Sequence, residues 1–68
     1  MINANKIRAR IVELGMNQAQ VAEKIGMSKK TFSLKMKSGK FGLDEADRMI
    51  EILKIEQPEK YFFSNGVA

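Results

Sequence analysis

Between Asn17 and Lys40 the chain concentrates hydrogen-bond donors at spacings that suit a polyanion. Lys29, Lys30 and Ser33 are close enough in sequence to share one side of a helix near its start. Lysine donates to the O6 and N7 acceptors of guanine, and a serine hydroxyl pairs with several bases. Leu34 adjoins them; it either meets thymine methyl groups or is partly buried. Asn17 and Gln18 stand where a helix would begin, and the free backbone amides of a helix N-terminus favour an anion. The Gln18 side chain adds a donor to the same phosphate. Lys37 and Lys40 continue the basic run. The candidate base-reading residues are therefore Lys29, Lys30, Ser33 and Leu34, and the candidate phosphate-binding residues are Asn17, Gln18, Lys37 and Lys40. Each has an ordinary explanation when taken alone: a cap for Asn17, partial burial for Leu34, solvation for the rest. Their concentration on two adjacent helices is what points to nucleic acid.

Catalysis finds no comparable set. The chain has no histidine and no cysteine, and no glycine-rich phosphate loop. Its carboxylates sit at helix starts and surface positions. The expectation is a binding protein with no catalytic residues, no metal site and no cofactor. The absence of cysteine fits a reducing cytoplasm. Lys6, Arg8 and Arg10 interrupt the N-terminus before any apolar run, so no signal peptide is expected. The run Tyr61-Phe62-Phe63 is far too short to span a membrane. Helix one has no anchoring aromatic, which argues against a membrane-surface role.

Charge is divided along the chain. Residues 1–40 hold nine basic side chains and two acidic ones, a balance of +7. Residues 41–68 hold three basic and six acidic ones, a balance of −3, and the whole carries +4. Such asymmetry suits one face for a polyanion and another that avoids it; an uneven solvated surface gives the same numbers.

Five short helices must position these side chains. Asn3 or Asn5 caps the first, which runs to about Leu14 with Ile7, Ile11 and Leu14 inward, and Gly15 ends it. Lys6, Arg8 and Arg10 on this helix face solvent or give long-range attraction. Asn17 caps the second, whose inward face is Val21, Ala22 and Ile25. Gly26 closes it in the left-handed conformation. Ser28 caps the third, anchored by Phe32 and Met36. Ser38-Gly39-Lys40 breaks it, and Phe41 packs back onto the core. The fourth starts near Leu43, with Asp44, Glu45 and Asp47 favoured at its positive end. Its apolar face is Leu43, Ala46, Met49 or Ile50, and Leu53. Pro58 opens a short fifth helix reaching about Phe63. Tyr61 and Phe62 close the core, leaving Phe63 as a dimer or partner surface, and residues 64–68 fray. The reading is an all-α, five-helix single domain over residues 1–68. At 68 residues and 44% hydrophobic content it can fold. A core this small supplies only about 3–5 kcal/mol, so dimerisation or a ligand would matter to stability.

Two short helices that meet at Gly26, with the small Ala22 four residues before it where they would cross, have the pattern of a helix-turn-helix, in which the second helix lies in the DNA major groove. Residues 17–39 resemble the helix-turn-helix of the lambda-repressor-like group, which contains the phage repressors and Cro proteins. The matching residues are Asn17-Gln18-Ala19, Ala22, Gly26, Ser28 and Phe32. The likeness extends over about residues 5–63, where LDEADRMIEILKI and QPEKYFF are similar to the group's fourth and fifth helices. Leu34, Gly42 and Lys54 depart from its pattern: the group favours a polar residue, a capping residue and a glycine there. The resemblance implies phosphate contact at Asn17 and Gln18, and base reading at Lys29, Lys30, Ser33 and Leu34. It implies a small phage or prophage Cro-like repressor in the bacterial cytoplasm, binding double-stranded operator DNA as a homodimer within a lysis–lysogeny switch. The alternatives are a modulator or antirepressor that complexes a partner phage repressor, and an antitoxin-type regulator.

Overall fold

Three short capping side chains, one glutamate and four left-handed residues decide where α1 to α4 of this chain begin and end. The computed structural model describes residues 2–62, and there the chain forms α1 (Ala4–Glu13), α2 (Gln18–Ile25), α3 (Lys29–Ser38), α4 (Leu43–Ile52) and α5 (Pro58–Phe62). Free N–H groups at a helix start need acceptors. Asn3 Oδ1 accepts from Lys6 N at 3.2 Å and opens α1. Asn5, the other candidate cap, instead accepts from Arg8 Nη1 at 3.2 Å. Asn17 and Gln20 form a reciprocal capping box on α2, at 2.8 and 2.9 Å. Ser28 Oγ accepts from Thr31 N at 3.1 Å and opens α3. Gly42 has no side chain to cap α4, but Glu45 Oε1 accepts from Gly42 N at 2.8 Å, which supplies half of such a box.

The helix ends share one device. Each of α1 to α4 closes at a left-handed residue, the C-cap itself in α2 and α3 and the residue after it in α1 and α4, and the N–H beyond reaches back to a carbonyl five positions earlier. Met16 N reaches Ile11 O at 3.0 Å, Met27 N reaches Ala22 O at 3.0 Å, Lys40 N reaches Lys35 O at 3.3 Å and Ile55 N reaches Ile50 O at 3.0 Å. The left-handed residues are Gly15, Gly26, Gly39 and, at the end of α4, Lys54 with φ 51°.

The core consists of Ile7, Ile11, Val21, Ala22, Ile25, Phe32, Met36, Met49, Leu53, Ile55 and Phe62. α2 lies at its centre, packed against α1, α3 and α4, while α5 packs against α1. The Phe41 ring folds back to 5.7 Å from that of Phe32. Tyr61 is half-buried and Phe62 buried. Phe63, expected as a dimer or partner surface, and residues 64–68, expected to fray, lie outside the described residues. The radius of gyration is 10.9 Å, close to the ~11 Å of a compact chain this long. Among the described residues, no helix is long and apolar enough to cross a membrane.

Two expectations need correction. Leu43 is not on the apolar face of α4; it is 84% exposed. It precedes Met49 by six residues, which turns it about 120° away from the buried stripe. Arg10 does not simply face solvent. Its Nε donates to Leu53 O at 2.8 Å and its Nη2 to Lys54 O at 3.2 Å. α4 has no basic residue in its last turn, and its closing carbonyls take the planar donor fork of Arg10 instead.

Candidate nucleic-acid interface

The orientation of α3 follows from two side chains. Phe32 and Met36 are almost wholly buried, and their spacing of four fixes one face of the helix inward. Lys29, Lys30, Ser33, Leu34 and Lys37 are then exposed. Leu34 is 58% exposed, so the partly buried alternative does not hold. Lys30, Leu34 and Lys37 fall on the side opposite the core, and Ser33 flanks them.

Lys29 is placed differently. Turned toward α2, it lines an open concavity of about 440 Å³ together with Asn17, Gln18 and Ala19. The start of α2 and the start of α3 thus converge on one hollow. Its chemistry is a helix N-terminus, an ammonium group and two amide side chains. Asn17 Oδ1 is committed to the capping box, but its Nδ2 hydrogens remain available as donors. Capping and anion contact are therefore compatible at Asn17. Gln18 is half-buried at the same rim.

Lys37 and Lys40 are exposed but stand at the other end of α3. At 1.5 Å per residue, Lys37 lies about 12 Å along the axis from Lys29. They belong to the same surface and not to the same hollow.

The turn between the helices is held from behind by α4. Arg48 Nη1 donates to Ile25 O, the end of α2, at 3.1 Å. Lys35 Nζ, on the flank of α3, donates to both carboxylate oxygens of Glu45 at 2.9 and 3.0 Å. Glu45 and Arg48 are three residues apart, and so share one side of α4. The Gly42 N–H, then Lys35, and to a lesser extent the charge of Arg48 hold the Glu45 carboxyl below the usual carboxylate range. The sequence reading gives Lys35 and Arg48 no role and places Glu45 only at the positive end of α4. The one available signal was Arg48 itself, the single basic residue of the acidic α4. Pairing withdraws Lys35 from the exposed basic surface and leaves Lys29, Lys30, Lys37 and Lys40 to define it.

Among the described residues no cluster of acidic side chains is arranged to hold a metal ion. The described residues form an all-α, five-helix bundle consistent with a small domain of helix-turn-helix type. Compared with known proteins, the chain matches no family model, no curated protein and no solved structure.

Proposed function

We infer that this chain is a sequence-specific, double-stranded-DNA-binding transcriptional regulator that acts by occupying an operator. One observation carries the reading. α3 buries Phe32 and Met36 and turns Lys30, Ser33, Leu34 and Lys37 to solvent, beside a hollow shared by Lys29 and the start of α2. A helix set in the major groove by phosphate contacts at the start of its partner uses this arrangement. Lys30 and Ser33 read base edges, and Leu34 packs on a thymine methyl group. Lys29 acts with Gln18 and Asn17 on a phosphate, and Lys37 and Lys40 hold phosphates further along the groove. The resemblance of residues 17–39 supports placing the protein beside the lambda-repressor-like group, as a small Cro-like regulator of phage or prophage origin. Twofold operators mirror twofold proteins, so the DNA-bound form is a homodimer.

Selection of binding sites from random duplexes tests this directly. A defined consensus is expected. Lys30→Ala and Ser33→Ala should then each lose about 1–3 kcal/mol on the selected site and less on random DNA. Gln18→Ala should weaken both alike. Equal affinity for selected and random duplexes would remove the reading.

The exposed Leu34 and Leu43 favour a second reading, a modulator that grips a partner repressor. Its mark would be capture of that repressor without DNA, lost on Leu43→Ser and unaffected by Lys30→Ala.

A further inference from the structure

Away from α2 and α3, an open cleft of about 430 Å³ lies between α1, the loop after α4, and α5. Its walls carry Lys6, Arg10, Lys54 and Lys60 against one carboxylate, Glu56, with Tyr61 alongside. The sequence does not foreshadow this gathering. Residues 41–68 are acidic and hold only three basic side chains, yet two of them, Lys54 and Lys60, stand here facing two cations of α1. Like charges brought together repel, and the arrangement is relieved when an anion sits among them.

The protein itself uses part of this charge. Arg10 spends three donors on Leu53 O, Lys54 O and Glu13 Oε1, which leaves two of its five N–H groups. Lys6 Nζ lies 5.4 Å from the centre of the Tyr61 ring, a cation–π contact that holds it at the cleft wall. The side chains of Lys54 and Lys60 have no hydrogen-bond or ion-pair partner among the described residues. Lys54 also keeps its left-handed backbone where the three other such turns have glycine. A lysine there carries strain that glycine would avoid.

The geometry points to this cleft as a phosphate-binding site, formed by Lys6, Lys54 and Lys60 around the Arg10 guanidinium. Three ammonium groups offer more charge and more donors than one carboxylate takes up. A phosphate ester or polyphosphate brings two or more charges and several strong acceptor oxygens, which lysine meets as a point charge. The phosphate comes either from a free phosphorylated compound or from a nucleic-acid backbone.

Amide correlation spectra of the full chain, titrated at constant ionic strength with sodium tripolyphosphate and in parallel with a short DNA duplex, test the site. Saturable shifts are expected at the amides of Lys54, Glu56, Lys60 and Tyr61. Lys54→Gln with Lys60→Gln should weaken them about tenfold or more, as loss of hydrogen bonds to a charged group does, while thermal unfolding shows the fold intact. Shifts with tripolyphosphate identify a free compound as sufficient; shifts with the duplex alone identify the nucleic-acid backbone. No shift at these amides with either probe, shifts unchanged in the double variant, or equal affinity for a glutamate peptide of matched charge would overturn the assignment. The site does not rest on the DNA reading, because contact through α3 reports separately at the amides of Lys30 and Ser33.

Discussion

Lys54 holds a backbone conformation that glycine would adopt without strain. Its φ of 51° closes α4 with the same pair of back-reaching hydrogen bonds that Gly15 and Gly26 make for α1 and α2. A left-handed residue with a side chain costs about 1–2 kcal/mol, partly offset in glycine by its freer unfolded chain. Lys54→Gly should therefore stabilise the protein by about 0.5–1 kcal/mol in urea unfolding. It should also remove one charge from the cleft between α1 and α5, so stability and phosphate binding would move in opposite directions. Lys29 teaches a related lesson at the same scale. Adjacent to Lys30 in sequence, it points into a different environment because successive helical residues are turned about 100° apart.

α4 adds polar ties to the turn and to the flank of α3, beyond the packing of α3 on α2. Arg48 holds the end of α2, and Glu45 holds both Lys35 and the backbone at Gly42. The Glu45 carboxyl is lowered from its ordinary range by these contacts. The native state thus binds its proton less readily than the unfolded chain, and the contribution of Glu45 to stability is present above its unfolded pKa. It is lost as pH falls through the depressed folded value. Glu45→Gln should be less stable than the parent at neutral pH, and the gap should close on acidification below the usual carboxylate range, as followed by thermal melts. Gly26 is the other element-scale constraint. Its φ of 87° leaves no comfortable place for a side chain, although a Cβ there would meet only Arg48 Nη1, at 3.7 Å. Gly26→Ala should cost about 1–2 kcal/mol through backbone strain alone. Because the turn sets how α3 is presented, this variant should also weaken DNA binding beyond what its lost stability explains.

Over the molecule as a whole, the division of charge along the chain is kept around α3 and broken at the cleft between α1 and α5, where Lys6 and Arg10 meet Lys54 and Lys60. The exposed lysines of α3 and the following loop form one basic surface, and Glu45 in the first turn of α4 pairs with Lys35 behind it. If such a surface neutralises six phosphates, the logarithm of DNA affinity should fall with the logarithm of salt concentration at a slope of about −5. A fluorescence anisotropy titration across salt concentrations measures it, and a slope near zero would mean that no phosphates are engaged. Loss of Lys37 or Lys40 should each flatten the slope by about one unit.

Much of this was legible in the chain. Asn17, Ser28 and Gly26 announced the α2–turn–α3 pair because capping and left-handed closure are local chemistry, settled within a few residues. The spacing of Phe32 and Met36 announced which side of α3 turns inward, because helical periodicity is local too. Leu43 misled, since at the first position of a helix an apolar residue belongs to no stripe until the rotation of the whole helix is known. Arg10, Arg48 and the Lys35–Glu45 pair were illegible for a different reason. Their partners lie between 10 and 44 residues away, and a long charged side chain reads as solvated until the fold brings a carbonyl or a carboxylate to it. The amino-acid order by itself determined the five helices and the exposed basic side of α3. Only tertiary packing decided which cations remain open to an anion, because that depends on where distant carbonyls and carboxylates come to rest.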